Sequence, residues 1–163
     1  MASAPKRVRI LKSSSLNPRI FNCRFQEWSG RSIRDTYGGK AVLDWNGAPV
    51  FAELAVVSML KERGFEGAVW VDSYRRCFRD AMPPATCSIP KCVSRIYERI
   101  SSINGKRAGC WDVIAWNERD VCFVECKRKG KDRMTLNEWK WLESAIKAGL
   151  TIEDFSICEW ELE

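Results

Sequence analysis

The chain has 163 residues, of which 45% are hydrophobic, so its length and composition fit one domain with a substantial core. No run approaches the roughly 18 apolar residues needed to span a membrane, and the net charge of +6 favours a polyanionic partner. The sequence contains no histidine, which excludes Ser-His-Asp and Cys-His catalysis and leaves carboxylates, lysines, thiols or a metal ion for any chemistry.

The positive charge is concentrated at the start of the chain. Residues 1–40 contain nine Lys and Arg residues against two acids, Glu27 and Asp35, whereas the remainder is nearly neutral. Residues 1–18 are predicted to be a flexible basic arm, either a nucleic-acid contact or a solvated tail. The first residues lack the apolar stretch of a secretory signal, so we expect an intracellular protein, cytoplasmic or nucleoid-associated.

The next elements follow from Pro, Gly and apolar spacing. Residues 20–48 are ambiguous. Their first part predicts either a short strand or a short helix, and the part after it predicts a loop. The segment from Pro49 to Gly64 has the punctuation of a helix, with Glu53 inside its apolar run. Residues 67–73 form a short apolar run that predicts a strand.

The second half alternates between helix and strand patterns. Residues 74–108 are predicted as an insertion that carries a loop and one helix. Residues 110–116 and 121–127 predict two strands joined by a tight turn, residues 135–149 a helix with a capping box, and residues 154–162 a last strand. The whole predicts a single α/β domain over 19–163, with core 49–162.

Eight cysteines are spread along the chain without a C-x-x-C pair. In an intracellular chain, reduced thiols that pack as small apolar groups are expected. A zinc site made by Cys77, Cys87, Cys92 and Cys110 is an alternative, although the short ligand spacings typical of such sites are absent.

Two acids interrupt the apolar runs of the paired strands. Asp112 lies in the first strand, and Glu125 lies in the second with Lys127 on the same face, because side chains alternate along a strand. A hairpin would bring Asp112 near Glu125, where two desolvated carboxylates repel each other unless a divalent cation lies between them. The competing interpretation is a structural Asp112–Lys127 ion pair with Glu125 at a solvated edge.

The resulting D-x₁₂-E-x-K pattern, with Glu53 on the preceding helix, resembles the PD-(D/E)XK nuclease superfamily. It is most similar to the virus-type replication-repair nucleases and Holliday-junction resolvases, over roughly residues 50–162. The resemblance implies a restriction-endonuclease-like core: a mixed sheet of about four strands flanked by helices in the order αβββαβ, here with a helix inserted between the first and second core strands.

The resemblance also implies the roles of the site residues. Asp112, Glu125 and the carbonyl of Cys126 would bind Mg²⁺ or Mn²⁺. Glu53 would complete the site or hold a second metal ion, and Lys127 would orient or activate the attacking water.

The sequence departs from the family pattern in three places. Cys110-Trp111 replaces the usual Pro before the Asp, Glu138 stands where the virus-type branch has Gln, and the insertion 74–108 is extra.

The expected function is a metal-dependent nuclease that hydrolyses DNA, an endonuclease rather than an exonuclease. The pattern leaves open whether cleavage is structure-specific, of a repair or recombination type. The alternative is a non-catalytic nucleic-acid-binding module on the same fold. No membrane partner is expected, and a homodimer is possible. The predicted phosphate contacts are Arg128, Lys129, Lys131 and Arg133 after the site, and Arg75, Arg76 and Arg79 in the insertion.

Overall fold

Residues 16–163 form an α/β arrangement of one mixed sheet and three α-helices. A computed structural model describes residues 16–163, so most of the predicted arm 1–18 lies outside the described residues. The helices are Ala52–Glu62 (α1), Lys91–Asn104 (α2) and Leu136–Lys147 (α3). The strands are Arg19–Glu27 (β1), Leu43–Trp45 (β2), Ala48–Val50 (β3), Gly67–Asp72 (β4), Cys77–Arg79 (β5), Val113–Trp116 (β6), Val121–Arg128 (β7) and Phe155–Leu162 (β8).

The sheet has eight strands in the order β3-β2-β1-β8-β7-β6-β4-β5. The four predicted core strands, β4, β6, β7 and β8, lie side by side at its centre, but the predicted number of about four strands is wrong. On one side, β1 runs parallel to β8 and carries the β2–β3 hairpin. On the other side, β5 pairs with β4. The short or half-exposed patterns of these added strands give little signal of their own, so only pairing with the central strands defines them.

The two faces of the sheet bury separate cores, as the alternation of side chains along a strand requires. On one face, Val113 and Val124 pack with α1 and the β2–β3 hairpin. On the other face, Ile114 and Phe123 pack with α2 and α3. The central strands are therefore covered on both sides, which explains their nearly continuous apolar sequences.

Helix α1 is buried along almost its whole length, since the sheet covers one side and the segment 28–50 covers the other. It begins at Ala52, later than predicted, because Pro49 lies in β3 and not in the first helical turn. An edge strand tolerates a proline, which has no N–H to donate to a ladder.

The insertion 74–108 is part of the folded body. It contains β5 at the sheet edge and α2, whose Val93, Tyr97 and Ile100 enter the core beneath α3. Within residues 16–163, no helix combines the length and the apolar character that a membrane crossing requires.

Candidate active site

The predicted E-x-K side chains lie together at the end of β7. Glu125 and Lys127 project from the same face, and the Lys127 ammonium lies 2.8 Å from Glu125 Oε1. Both side chains are largely buried, with 12% of the Lys127 side chain and 4% of the Glu125 side chain exposed. A buried carboxylate requires a cation or several donors beside it, and Lys127 supplies the first.

Asp112 lies just before β6, opposite Glu125 in the β6–β7 register. The predicted strand 110–116 begins only at Val113, because the chain bends at Asp112. Trp111 therefore packs in the same core as Ile114, and the Asp112 carboxylate turns to the end of the sheet. There it accepts the N–H of Cys126 at 3.0 Å, while the Asp112 N–H donates to Glu125 Oε2 at 3.1 Å.

These contacts place the backbone of Cys126 beside Asp112. In a strand the N–H and the C=O of one residue leave on the same side. Because the Cys126 N–H points to Asp112, the Cys126 carbonyl faces the same side.

Glu138, at the start of α3, is a member of the site that the sequence did not assign to it. Its Oε2 accepts the N–H of Thr135 in the predicted capping box, and its Oε1 lies 2.9 Å from the Lys127 ammonium. A capping pattern was visible in the sequence, but its second contact depends on how α3 docks against β7. Glu138 therefore holds Lys127 between two carboxylates, its own and that of Glu125.

Glu53 and Lys40 form the other end of the site. Glu53 lies buried in the first turn of α1 and binds the Lys40 ammonium. Lys40 lies near the end of the loop 28–42. It follows a tight turn in which Tyr37, Gly38 and Gly39 all have positive φ (53°, 79° and 96°). The Gly-Gly-Lys sequence is the only local signal for this residue, and it does not reveal the partner.

We call Glu53, Asp112, Glu125 and Glu138, together with Lys40 and Lys127, the charged cluster. Burial raises the pKa of Asp112 to about 7, with a further contribution from the charge of Glu53. Burial and the charge of Asp112 also raise the pKa of Glu125 well above its ordinary value. Four carboxyl groups against two ammonium groups leave the ionised cluster two charges negative.

The lysines of the cluster hold their protons. Burial alone would lower the pKa of Lys127, but its ion pairs with Glu125 and Glu138 outweigh this and raise it. The same balance, between burial and the charge of Glu53, raises the pKa of Lys40. Both side chains are therefore fixed positive charges at neutral pH.

The oxygen atoms of the cluster suit a hard divalent cation, since carboxylate and carbonyl oxygens are the ligands that Mg²⁺ prefers. The carboxylates of the cluster are not arranged as a preformed metal site. Among residues 16–163, no three Cys, Asp or Glu side chains are grouped so as to hold a metal ion. The reason is that lysine ammonium groups and backbone N–H groups already engage the carboxylates, with Glu53 on the α1 side and Glu125 on the α3 side. A metal ion that binds here must displace some of those ammonium and N–H groups from the carboxylates.

The raised pKa of Asp112 predicts how metal-free stability depends on pH. Between about pH 4 and pH 7 the folded protein binds more protons than the unfolded chain, so stability falls as the pH rises. For Asp112 the loss is on the order of 3 kcal/mol, from a shift of its pKa from 3.8 to about 7.

Urea unfolding in EDTA at pH 5 and at pH 8 measures this loss. In Asp112→Asn, the stability difference between the two pH values should be much smaller, because the asparagine amide keeps an acceptor for the Cys126 N–H but has no proton to release. An equal difference in both proteins would show that Asp112 does not titrate in this range.

The predicted phosphate contacts occupy different environments. Lys131 and Arg133 are exposed after β7, whereas Lys129 lies 3.8 Å from Glu161. Arg128 is half-buried, with its guanidinium stacked on Trp160 at 5.3 Å.

In the β4–β5 turn, Arg75 and Arg76 are exposed. The phosphate-facing role predicted for Arg79 is wrong. Its side chain is only 5% exposed and binds Asp72 at 2.9 Å, and its other nitrogens bind backbone carbonyls and the hydroxyl of Tyr37.

The alternative zinc site has no support in the described part of the chain. Cys77, Cys87, Cys92 and Cys110 are all free thiols, and Cys92 is exposed whereas Cys110 is buried. No group of three metal-binding side chains includes them.

Comparisons with known proteins assign no family. No protein-family model matches the chain, and no curated protein matches it at a significant level.

Proposed function

We propose that the protein is a metal-dependent nuclease of the PD-(D/E)XK type with a restriction-endonuclease-like core, which hydrolyses phosphodiester bonds of DNA. The observation that carries the proposal is the charged cluster, in which Asp112 lies between the Lys40–Glu53 pair on the α1 side and the Lys127 pairs with Glu125 and Glu138 on the α3 side. Burial and repulsion raise the pKa of Asp112 and of Glu125 in the metal-free protein, so both carboxyl groups hold their protons to a higher pH than ordinary carboxyl groups do. A divalent cation would balance the two excess negative charges and release those protons.

The residues would divide the work as follows. Asp112, Glu125 and the Cys126 carbonyl would hold Mg²⁺ or Mn²⁺, and Glu53 would complete the shell once Lys40 withdraws. When bound, such an ion polarises the scissile phosphate and lowers the pKa of a water molecule.

In the metal-free protein the ion pairs with Glu125 and Glu138 raise the pKa of Lys127, so we do not assign it the role of general base. It instead orients the attacking water by hydrogen bonding and stabilises the charge on the phosphate in the transition state.

Cleavage assays test this proposal. Supercoiled plasmid and labelled single-stranded, duplex, flap and four-way-junction oligonucleotides are incubated with Mg²⁺, Mn²⁺, Ca²⁺ or EDTA. We expect nicked or cut products with Mg²⁺ or Mn²⁺ and none with EDTA. Internal cleavage of circular DNA would identify an endonuclease, and dependence on a branch would identify structure specificity. No product on any substrate with any metal would contradict the proposal.

One observation favours the second candidate, a nucleic-acid-binding module without catalysis. Lys40 pairs with Glu53, and Lys127 pairs with Glu125 and Glu138, so these carboxylates have cationic partners without a metal ion. The two candidates differ in their response to Mg²⁺ or Mn²⁺. A catalytic site raises Tm in a saturable way that Asp112→Asn abolishes, whereas a binding module shows no such response.

Two further expectations belong to this proposal. The basic arm 1–18 would add sequence-independent phosphate contacts, which weaken as salt rises. Two copies of the chain would pair to cut both strands of a duplex, and measurement of the oligomeric state on DNA tests this.

A further inference from the structure

Two cavities adjoin the charged cluster and form one groove. The nearer cavity has a volume of about 320 Å³, and it is lined by Glu53 of the charged cluster and by Cys126. The farther cavity has a volume of about 450 Å³ and extends past Ser32 to Trp28. Lys40 and Arg128 line both cavities, so they mark the place where one opens into the other.

The junction of the groove presents positive charge. The Arg128 guanidinium stacks on Trp160 at 5.3 Å and makes no ion pair within residues 16–163. Its backbone N–H donates to Asp132 Oδ2 at 3.0 Å, and this carboxylate also lines the nearer cavity. Lys131 adds a second cation at the rim. A half-buried guanidinium that lies over an indole and makes no ion pair in the described part of the chain is suited to bind a phosphate.

The far end of the groove presents an aromatic ring. The Trp28 indole lies against Gly30, where an added Cβ would come within 2.1 Å of the ring. The indole N–H donates to the Arg31 carbonyl at 2.8 Å, and the Trp28 backbone N–H donates to the Val42 carbonyl at 2.9 Å. Trp28 is thus fixed in place while remaining half-buried at the cavity wall.

We propose that this groove binds a single strand of nucleic acid, with Arg128 on a backbone phosphate and Trp28 stacked on an unpaired base. Cationic side chains alternating with aromatic rings are typical of single-strand grooves, where stacking is tolerant of base identity. Volumes of about 320 and 450 Å³ are those of pockets for one small ligand group. Each is of the size that one unpaired nucleotide could enter.

This inference deepens the proposed function and rests on it in one respect: the scissile phosphate lies at the Glu53 end of the groove. The substrate class that follows is nucleic acid with an unpaired segment next to the cleaved bond, such as a flap, a gap or a single-stranded end. Glu27 also lines the farther cavity. Its carboxylate repels a phosphate, so we expect no phosphate contact beside it.

Fluorescence anisotropy in EDTA tests the groove without cleavage. The probes are a labelled oligo-dT of 12 nucleotides and a 12-base-pair duplex, with the full chain at fixed low salt. We expect the single strand to bind about tenfold tighter than the duplex. Trp28→Ala and Arg128→Ala should each weaken single-strand binding about tenfold, and duplex binding should change less than twofold.

Conservative and distant variants serve as controls. Trp28→Phe keeps an aromatic ring and should restore most of the binding, whereas Arg128→Lys keeps only the charge. Arg99→Ala, an exposed arginine on α2 away from the groove, should bind both probes like the parent. Thermal unfolding of each variant establishes that it is folded. Equal affinity for both probes, or single-strand binding by Trp28→Ala and Arg128→Ala equal to that of Arg99→Ala, would overturn the groove.

The outcome separates this inference from the proposed function. Lys127→Gln should bind the single strand normally while it fails to cut. If single-strand binding depends on Trp28 and Arg128 but no DNA is cleaved with any metal ion, the groove is supported and the proposed nuclease function is contradicted. If the protein cleaves DNA with a metal ion but Trp28→Ala and Arg128→Ala bind the single strand like the parent, the nuclease function is supported and the groove is contradicted.

Discussion

Asp112→Asn and Lys127→Gln should each reduce the rate of metal-dependent DNA cleavage at least about 100-fold while the protein stays folded. Removal of one positioned charge from a transition state typically has an effect of this size. Asparagine retains an acceptor for the Cys126 N–H, and glutamine retains a donor to Glu125, so the hydrogen bonds around the cluster survive. Single-turnover cleavage of labelled DNA in Mg²⁺ or Mn²⁺ measures the loss.

Exposed residues of the same types provide matched controls. Asp120→Asn lies in the β6–β7 turn and Lys147→Gln in the last turn of α3, both away from the cluster. These variants should cleave at the parent rate. If Asp112→Asn and Lys127→Gln also cleave at that rate, the assignment of the catalytic residues is wrong.

Arg79→Met should destabilise the protein by about 3–5 kcal/mol, with a fall in Tm of about 10 °C. The Arg79–Asp72 pair is almost completely buried, so removal of the arginine leaves the Asp72 carboxylate without its counter-charge. Two backbone carbonyls and the Tyr37 hydroxyl would lose their donor as well. Urea unfolding and thermal denaturation measure the change.

The matched control is Arg99→Met, which removes an exposed arginine from α2 and should change stability by less than about 0.5 kcal/mol. Binding of duplex DNA by folded Arg79→Met should equal that of the parent at low temperature, because the guanidinium faces the interior. A stable Arg79→Met variant with weakened DNA binding would restore the phosphate contact that the structure argues against.

Local patterns account for much of what the sequence predicted correctly. The capping box at Thr135 and Glu138 and the tight turn before Val121 depend on residues only a few positions apart. The shared face of Glu125 and Lys127 follows from alternation along one strand. These features were predictable because short-range sterics and hydrogen bonding fix them.

The extent of the sheet was not predictable in the same way. The half-exposed strand β1 could also be read as a short helix, and it becomes a strand by pairing with β8 at the other end of the chain. The β2–β3 hairpin and β5 are three residues long per strand and carry no periodic signal. Their existence depends on a central sheet to which they add.

The sequence by itself determined the central α/β pattern, the hairpin that sets Asp112 opposite Glu125, and the face on which Lys127 lies. Only the tertiary structure decided that Lys40 binds Glu53, that Glu138 holds Lys127, and that Arg79 is buried. The physical reason is that charges become partners according to where helices and loops dock, over separations such as the 42 positions between Tyr37 and Arg79. Periodicity along the chain contains no information about such distances.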